Sequence, residues 1–322
     1  MMQLAVTGAT GFVGHALLAA LLECRRFGLR GLVRRLPADR LPGIDYQALG
    51  DLGAAQDWRA ALTGVDVLLH AAARVHVMND AAIDPLSEFR RINVDGTLNL
   101  ARQAAQAGVR RFVFVSSVKV NGETSAPGQP FFASDTPAPA DPYGVSKREA
   151  EDGLRVVAAQ TGMEVVIIRP PLVYGPGVKA NFRSMMGWLV RGVPLPLGAI
   201  DNKRSLLALG NLIDLLIVCI DHPAAADQTF LVSDGEDLST TELLRRLGAA
   251  LGCPARLLPV PQGLLTAGAA LLGKQAVLRK LCASLQVDIA KTEALLGWSP
   301  PISVNEGLRL CALDFLATEH PR

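Results

Sequence analysis

Apolar and polar positions along the first half of the chain fall into two kinds of block. "QLAVTG" is a short apolar run ending in glycine, and "FVGHALLAALLECRR" follows it with apolar residues at helical spacing, which predicts strand, turn and helix. The pattern recurs. "LRGLV" predicts a second strand, "VDVLLHAAA" a third after a helical "AAQDWRAAL", "RFVFVSS" a fourth after "NVDGTLNLARQAAQAG", and "EVVIIRPPLV" a fifth after "SKREAEDGLRVVAAQTG". Strands alternating with helices imply right-handed crossovers and a parallel sheet covered on both faces. The expected fold class is α/β, a doubly wound parallel sheet of the Rossmann type.

After Arg169 the regularity stops. "PPLVYGPGVKANF" carries three prolines and two glycines, "GVPLPLG" is again turn-rich, and the later apolar segments are shorter and mixed. This predicts a smaller C-terminal, substrate-binding lobe. Residues 1–170 are expected to form the dinucleotide-binding domain, with elements of 203–235 returning to it, and 171–202 with 236–322 the substrate lobe. The cleft is expected between the lobes, at the carboxyl ends of the strands.

Composition removes several classes of function. The chain has 322 residues, half of them hydrophobic, and 32 basic against 30 acidic side chains. A net charge of +2 gives no bulk reason to expect nucleic acid or a membrane surface as a partner. Aromatic residues are only 5% of the chain, with no basic stripe among them. The longest apolar stretches are short or interrupted by Asn211 and Asp214, so no spanning helix is expected. The first strand begins almost at Met1, so no signal peptide is expected. Five scattered cysteines (Cys24, Cys219, Cys253, Cys282, Cys311) read as reduced core thiols, and a cytoplasmic protein is expected. His15, His70, His76, His222 and His320 never pair at i, i+4, so no metal site is expected, and His70 at the end of a buried strand reads as structural.

The first candidate chemistry is "TGATGFVG", which places Gly8, Gly11 and Gly14 between a strand and a helix. Glycine serves there because the chain turns sharply, the backbone must approach a pyrophosphate, and the helix must pack close to the strand. Phosphate then meets the free N–H groups of the helix N-terminus. The second is "SSVKVNG" followed, past a Pro-rich loop, by "PYGVSK". Tyr143 and Lys147 are four apart and share one helix face. A neighbouring Lys cation favours the phenolate, so the Tyr143 hydroxyl is expected below its ordinary value near 10. Ser117, at the end of its strand, can donate to the same substrate oxygen.

These motifs resemble the extended short-chain dehydrogenase/reductase superfamily, in its NAD-dependent epimerase/dehydratase branch acting on nucleotide sugars. The resemblance runs through TGATGFVG at 7–14, GDL at 50–52, HAAA at 70–73, NVDGT at 93–97, SS at 116–117, YGVSK at 143–147, RPPLVYGPG at 169–177 and LGW at 296–298. It implies Ser117, Tyr143 and Lys147 as the catalytic triad, with Tyr143 and Lys147 also reaching the cofactor. Gly8, Thr10, Gly11, Phe12, Val13 and Gly14 would cradle that cofactor, Asp51 and Leu52 would border its adenine, and Ala71, Ala72, Ala73 and Pro170 would line it. Asn93 would support the site from beneath. Asn181 would touch the substrate's diphosphate, and Arg204 and Arg279 are similar to arginines that clamp its phosphates. For Arg279, in "VLRKL", a solvated helix face accounts for the residue almost as well. Members are commonly homodimers through a helix pair, here the helices around NVDGTLNLARQAAQAG and YGVSKREAEDGL.

Two features bear on the reaction. Dehydratases of this kind carry an Asp-Glu pair right after the catalytic Ser or Thr, and Val118 and Lys119 stand there instead. Dehydration is not expected. At the end of the second strand, where an acidic residue would accept from the ribose of NAD, the chain has Arg34 and Arg35, which suit the 2′-phosphate of NADP. NADP(H) is therefore expected over NAD(H). The leading expectation is reduction of a UDP-4-keto-6-deoxy-N-acetylhexosamine for surface polysaccharide. A UDP-glucose or UDP-N-acetylglucosamine 4-epimerase is the alternative, and a non-catalytic NADP-binding sensor a further one.

Overall fold

The computed structural model of the protein describes residues 1–75, 84–126, 128–271, 273 and 275–319. His76 and His320 lie outside them. The strands are β1 (Met2–Thr7), β2 (Phe27–Val33), β3 (Asp45–Ala48), β4 (Val67–His70), β5 (Arg111–Val115), β6 (Glu164–Arg169), β7 (Leu172–Tyr174), β8 (Arg204–Ala208), β9 (Thr229–Leu231) and β10 (Asp237–Leu238). The helices are α1 (Phe12–Cys24), α2 (Arg59–Leu62), α3 (Pro85–Phe89), α4 (Thr97–Gln106), α5 (Pro142–Thr161), α6 (Ala180–Val190), α7 (Leu209–Asp221), α8 (Thr240–Ala250), α9 (Gln262–Leu271), α10 (Gln275–Cys282), α11 (Ala290–Leu296) and α12 (Val304–Glu319). None of the described helices is long and apolar enough to cross a membrane.

Seven strands form one sheet in the order β3-β2-β1-β4-β5-β6-β9, and every pairing in it is parallel. The chain begins in the middle of this sheet, works outward to β3, then crosses back through β4, β5 and β6. This is the doubly wound α/β fold expected from the alternating pattern. Both faces are covered. On one, Leu17, Leu18 and Leu21 of α1 and Leu212, Leu215 and Leu216 of α7 pack on Leu4, Val6 and Val113. On the other, Leu100 and Ala104 of α4 and Ala150, Leu154 and Val157 of α5 pack on Leu68, Phe112 and Ile167. Such two-sided burial explains why the central strands read as unbroken apolar runs.

A second core surrounds a smaller sheet of order β10-β8-β7, in which β8 is parallel to β7 and antiparallel to β10. Helices α6, α8 and α12 enclose it with Phe182, Met186, Leu244, Leu247, Leu308 and Phe315. The run "EVVIIRPPLV", expected as one strand, is two. Pro170 and Pro171 cannot donate to a ladder, so β6 ends at Arg169 in the large sheet and β7 begins at Leu172 in the small one. The helix expected in "AAQDWRAAL" is a single turn, α2, because Asp57 forms a local ring with Arg59 that closes the entry to the helix.

Polar bonds join the two cores. Asp234 accepts from the Tyr174 hydroxyl at 2.8 Å, from Ala208 N at 2.7 Å and from Asn211 Nδ2 at 2.7 Å. Asn211 also exchanges bonds with the Ile302 backbone, and Trp298 donates its indole N–H to Asp214 at 2.7 Å. The two polar residues that break the apolar run of α7 are thus the ones that tie it to the C-terminal segment.

Candidate active site

The glycine turn joins the end of β1 to α1. Gly8 has φ +66°, and a Cβ there would stand 2.8 Å from Ala72 N. A Cβ on Gly14 would run into the Gly8 carbonyl. The turn therefore admits no side chain at Gly8 or Gly14, and at Gly8 it lies flush against Ala71 and Ala72, beyond the end of the adjacent strand β4. Gly11 caps α1 without a side-chain bond, so the N–H groups of the first turn, from Phe12 and Val13 onward, have no internal acceptor. Thr10 and Gly11 are exposed in front of it. A bare backbone cradle at an uncapped helix N-terminus fits the diphosphate of a dinucleotide.

Arg34 and Arg35 follow the last residue of β2 and are both exposed. Arg34 lies 3.6 Å from Asp51, with the two side chains 72% and 76% exposed, an open pair that a ligand can enter. Leu52 packs against Gly96, where any Cβ would meet it at 2.7 Å. Ala71, Ala72 and Ala73 are half-buried. Their segment is held from below by Asn93, whose Oδ1 accepts from Arg74 N at 2.8 Å while Nδ2 donates to Arg74 O and to Ser146 Oγ, each at 3.0 Å. Asn93 is buried with both ends of its amide engaged. It ties the lining segment to α5 through Ser146, and it belongs to a π-helical turn, Arg90–Gly96.

Strand β5 delivers Ser116 and Ser117 to its carboxyl end. Ser117 is half-buried, and its Oγ accepts from Lys119 N at 3.2 Å, which leaves its hydroxyl hydrogen to donate. Pro142 and the Asp141 cap start α5 here, with Asp141 Oδ1 accepting from Gly144 N at 2.6 Å. Tyr143 and Lys147 consequently stand one turn apart, and Lys147 Nζ donates to Val115 O at 2.8 Å over the Phe114 ring. Pro170, buried, accepts from Val118 N at 2.9 Å and so fixes the same turn.

The electrostatics depart from the expectation. Burial, and after it the Asp141 carboxylate, push the Tyr143 hydroxyl above the ordinary tyrosine range. Burial pushes Lys147 down to about 7 against the opposing pull of Glu151. The phenol is raised and not lowered because its own desolvation and the nearby Asp141 carboxylate both disfavour the phenolate. His70, between Thr7 and Thr97 at 2.6 and 2.9 Å, is brought down to about 3, first by burial and then by Lys147. It is a neutral structural residue.

The polar group behind the site has almost no local signature in the chain. Glu151, one turn beyond Lys147, is completely buried; it accepts from Ser116 Oγ at 2.6 Å and from Arg169 at 2.6 and 2.9 Å. Arg169 reaches on to Asn121 Oδ1 at 3.0 Å. The i, i+4 continuation from Lys147 was the only available signal. Farther away, Asn181 is exposed in the first turn of α6 and Arg279 is exposed on α10. Arg204 opens β8, half-buried, and donates to Ala283 O at 3.1 Å; burial lowers its pKa. The segment 284–288 links this arginine to the loop after Ser117, since Ser125 N donates to Ser284 O and Phe131 N to Gln286 O.

A doubly wound sheet with a bare glycine cradle, and a Ser, a Tyr and a Lys gathered at the end of β5, defines an oxidoreductase of the extended short-chain dehydrogenase/reductase type. The sequence profile of the NAD dependent epimerase/dehydratase family matches residues 4–233, and the chain belongs to that family. It is 47% identical to a UDP-glucose 4-epimerase of Vibrio cholerae over 97% of this chain and 94% of that one. Among solved structures its fold is similar to a UDP-glucuronic acid 4-epimerase of Bacillus cereus in complex with NAD (TM-score 0.79, 19% identity, 99% of this chain and 100% of that one). It is also similar to a UDP-glucose 4-epimerase of Thermotoga maritima with UDP-glucose (TM-score 0.78, 20% identity, the same coverage).

Proposed function

We propose that the chain oxidises and re-reduces C4 of a UDP-linked sugar, and so acts as a UDP-sugar 4-epimerase. The observation that carries this reading is the 47% identity, over nearly the whole of both chains, to a UDP-glucose 4-epimerase. It moves the weight from reduction, the leading expectation, to epimerisation. A nicotinamide cofactor, held by the 8–14 turn, Asp51, Leu52, Ala71 to Ala73 and Lys147, supplies the hydride acceptor and donor when bound. Tyr143 takes the proton from the sugar 4-hydroxyl and returns it after the 4-keto sugar has turned its other face. Ser117 donates to the same oxygen, and Lys147 holds positive charge beside the phenol as that proton moves. Asn181, Arg204 and Arg279 are the groups offered to the diphosphate, so that the substrate would lie between the two cores.

Arg34 and Arg35 favour a second reading, reduction of a UDP-4-keto sugar with NADPH, because the residues that follow β2 are two exposed cations rather than an acidic residue. One preparation separates the two. The epimerase retains NAD on purification and equilibrates UDP-glucose with UDP-galactose, or UDP-GlcNAc with UDP-GalNAc, with no cofactor added. The reductase purifies without NAD and consumes NADPH with a UDP-4-keto-6-deoxy-N-acetylhexosamine. Turnover of neither kind rejects both. Assembly as a homodimer through α4 and α5 goes with either reading; Val156, 53% exposed on α5, is an apolar side chain available for it, and light scattering of the purified chain gives the answer.

A further inference from the structure

Lys119 stands two residues after Ser117, where related dehydratases carry a carboxylate, and it touches both halves of the acid-base machinery. Its backbone N–H donates to Ser117 Oγ at 3.2 Å. Its carbonyl packs on the first turn of α5 so closely that a Cβ on Gly144 would come within 2.8 Å of it. Its ammonium is paired with Asp141, lies 3.7 Å from Glu123, and stands 6.0 Å from the centre of the Tyr143 ring. The pair is partly shielded, with Lys119 32% and Asp141 21% exposed.

The other charges around Tyr143 are engaged elsewhere. Lys147, on the same helix, is turned to Val115 O. On the opposite side the Phe89 ring meets Tyr143 edge-on at 6.0 Å, Arg74 lies over Phe89, and the neighbouring Arg90 is held by Glu149. Asp141 is the carboxylate beside the phenol. Ionised, it opposes a phenolate, since like charges at short range disfavour each other. A cation fixed on Asp141 removes much of that opposition.

We propose that Lys119 is a positioning residue for proton transfer: its ammonium, seated on Asp141 at the start of α5, offsets the carboxylate that would otherwise stand unopposed against the Tyr143 phenolate. The charge pair itself stands on geometry; its effect on turnover rests on the reading of Tyr143 as the acid-base group. Lys119→Met removes the cation and keeps the stem. Asp141→Asn removes the anion and keeps a side chain that caps a helix equally well.

The chain holds three tyrosines, Tyr46, Tyr143 and Tyr174. Full-length protein labelled with 13Cζ-tyrosine and saturated with NAD⁺ therefore gives a resolvable Tyr143 signal, assigned by its loss in Tyr143→Phe. The expected result is a titration of Tyr143 moved upward by about one pH unit in Lys119→Met and downward by about one unit in Asp141→Asn. Where the midpoint passes the unfolding limit, the onset of the titration is read instead. The double variant returns near wild type, and Lys119→Arg rescues. Titrations unmoved in both single variants, or moved the same way, overturn the proposal and leave Lys119 a purely structural tether. The acid limb of kcat/KM follows the same shifts if Tyr143 is the acid-base group. Moved titrations with an unmoved rate profile would reject that role for Tyr143 and leave the charge pair standing.

Discussion

At the carboxyl end of β2, Arg34 and Arg35 stand in solvent with one open pairing to Asp51, whereas at the ends of β5 and β6 Glu151 and Arg169 are buried and bonded to each other, to Ser116 and to Asn121. The two places lie at the same carboxyl end of the parallel sheet and handle charge in opposite ways. A side chain that selects among ligands has to be reachable, and it contributes little to folding because exposed pairs are worth under about 1 kcal/mol. A side chain that holds a reacting group in place has to be fixed, and a buried charge is tolerable only when it is paired and hydrogen-bonded. If Arg34 and Arg35 select the cofactor as proposed, fixation and selection are divided between distant strands, and either can change without disturbing the other.

That division can be tested from its strongest consequence downward. Tyr143→Phe, at the fixed end, is expected to lower kcat by about 10²–10⁴-fold with the fold intact by circular dichroism; retained turnover would move the chemistry elsewhere. Breaking the buried pair comes next. Glu151→Gln or Arg169→Met alone is expected to cost about 3–5 kcal/mol in urea unfolding, and the double variant less than the sum of the two. Additive losses would mean that the pair is not coupled.

Lys147 gives a pH-dependent effect of intermediate size. Burial brings it from 10.5 to about 7 in the ligand-free fold. Between those values the unfolded chain binds more protons than the folded one, so stability rises with pH through that window and the charge is a burden below it. Lys147→Met is therefore expected to be inactive yet more stable than wild type at pH 6, by on the order of 1–3 kcal/mol, with the gain fading toward pH 10. A gain that is flat in pH would assign it to packing. The smallest effect belongs to the exposed end. Arg34→Ala with Arg35→Ala is expected to shift the NADP-to-NAD affinity ratio by about tenfold while changing unfolding free energy by less than about 0.5 kcal/mol. An unchanged ratio in a stable protein would remove the arginines from cofactor choice.

The sheet and its glycine turn were legible because each depends on neighbours in sequence: apolar runs, a strand-turn-helix context, and Tyr143 one helical turn before Lys147. What escaped depends on partners far along the chain. Nothing local to Glu151 announces that it will be met by Ser116 and Arg169, since the three come from α5, β5 and β6. The edge strand β3, with half-buried Tyr46 and Gln47 between exposed ends, is too polar to read as a strand until β2 pairs with it. The raised Tyr143 was missed for a similar reason. Spacing put a cation one turn from the phenol, but only the packed fold shows how far the phenol itself is buried and that Asp141 opposes its ionisation.

The last strand of the large sheet is β9, and its partner β6 ends about sixty residues earlier in the chain. During synthesis at about 5–20 residues per second, the unpaired backbone edge of β6 therefore waits about 3–12 s for its partner strand. Unpaired edges of this kind recruit other chains. A nascent protein that has released β6 without β9 is at its most exposed to misassembly, and a fragment ending at residue 170 would carry that exposure permanently.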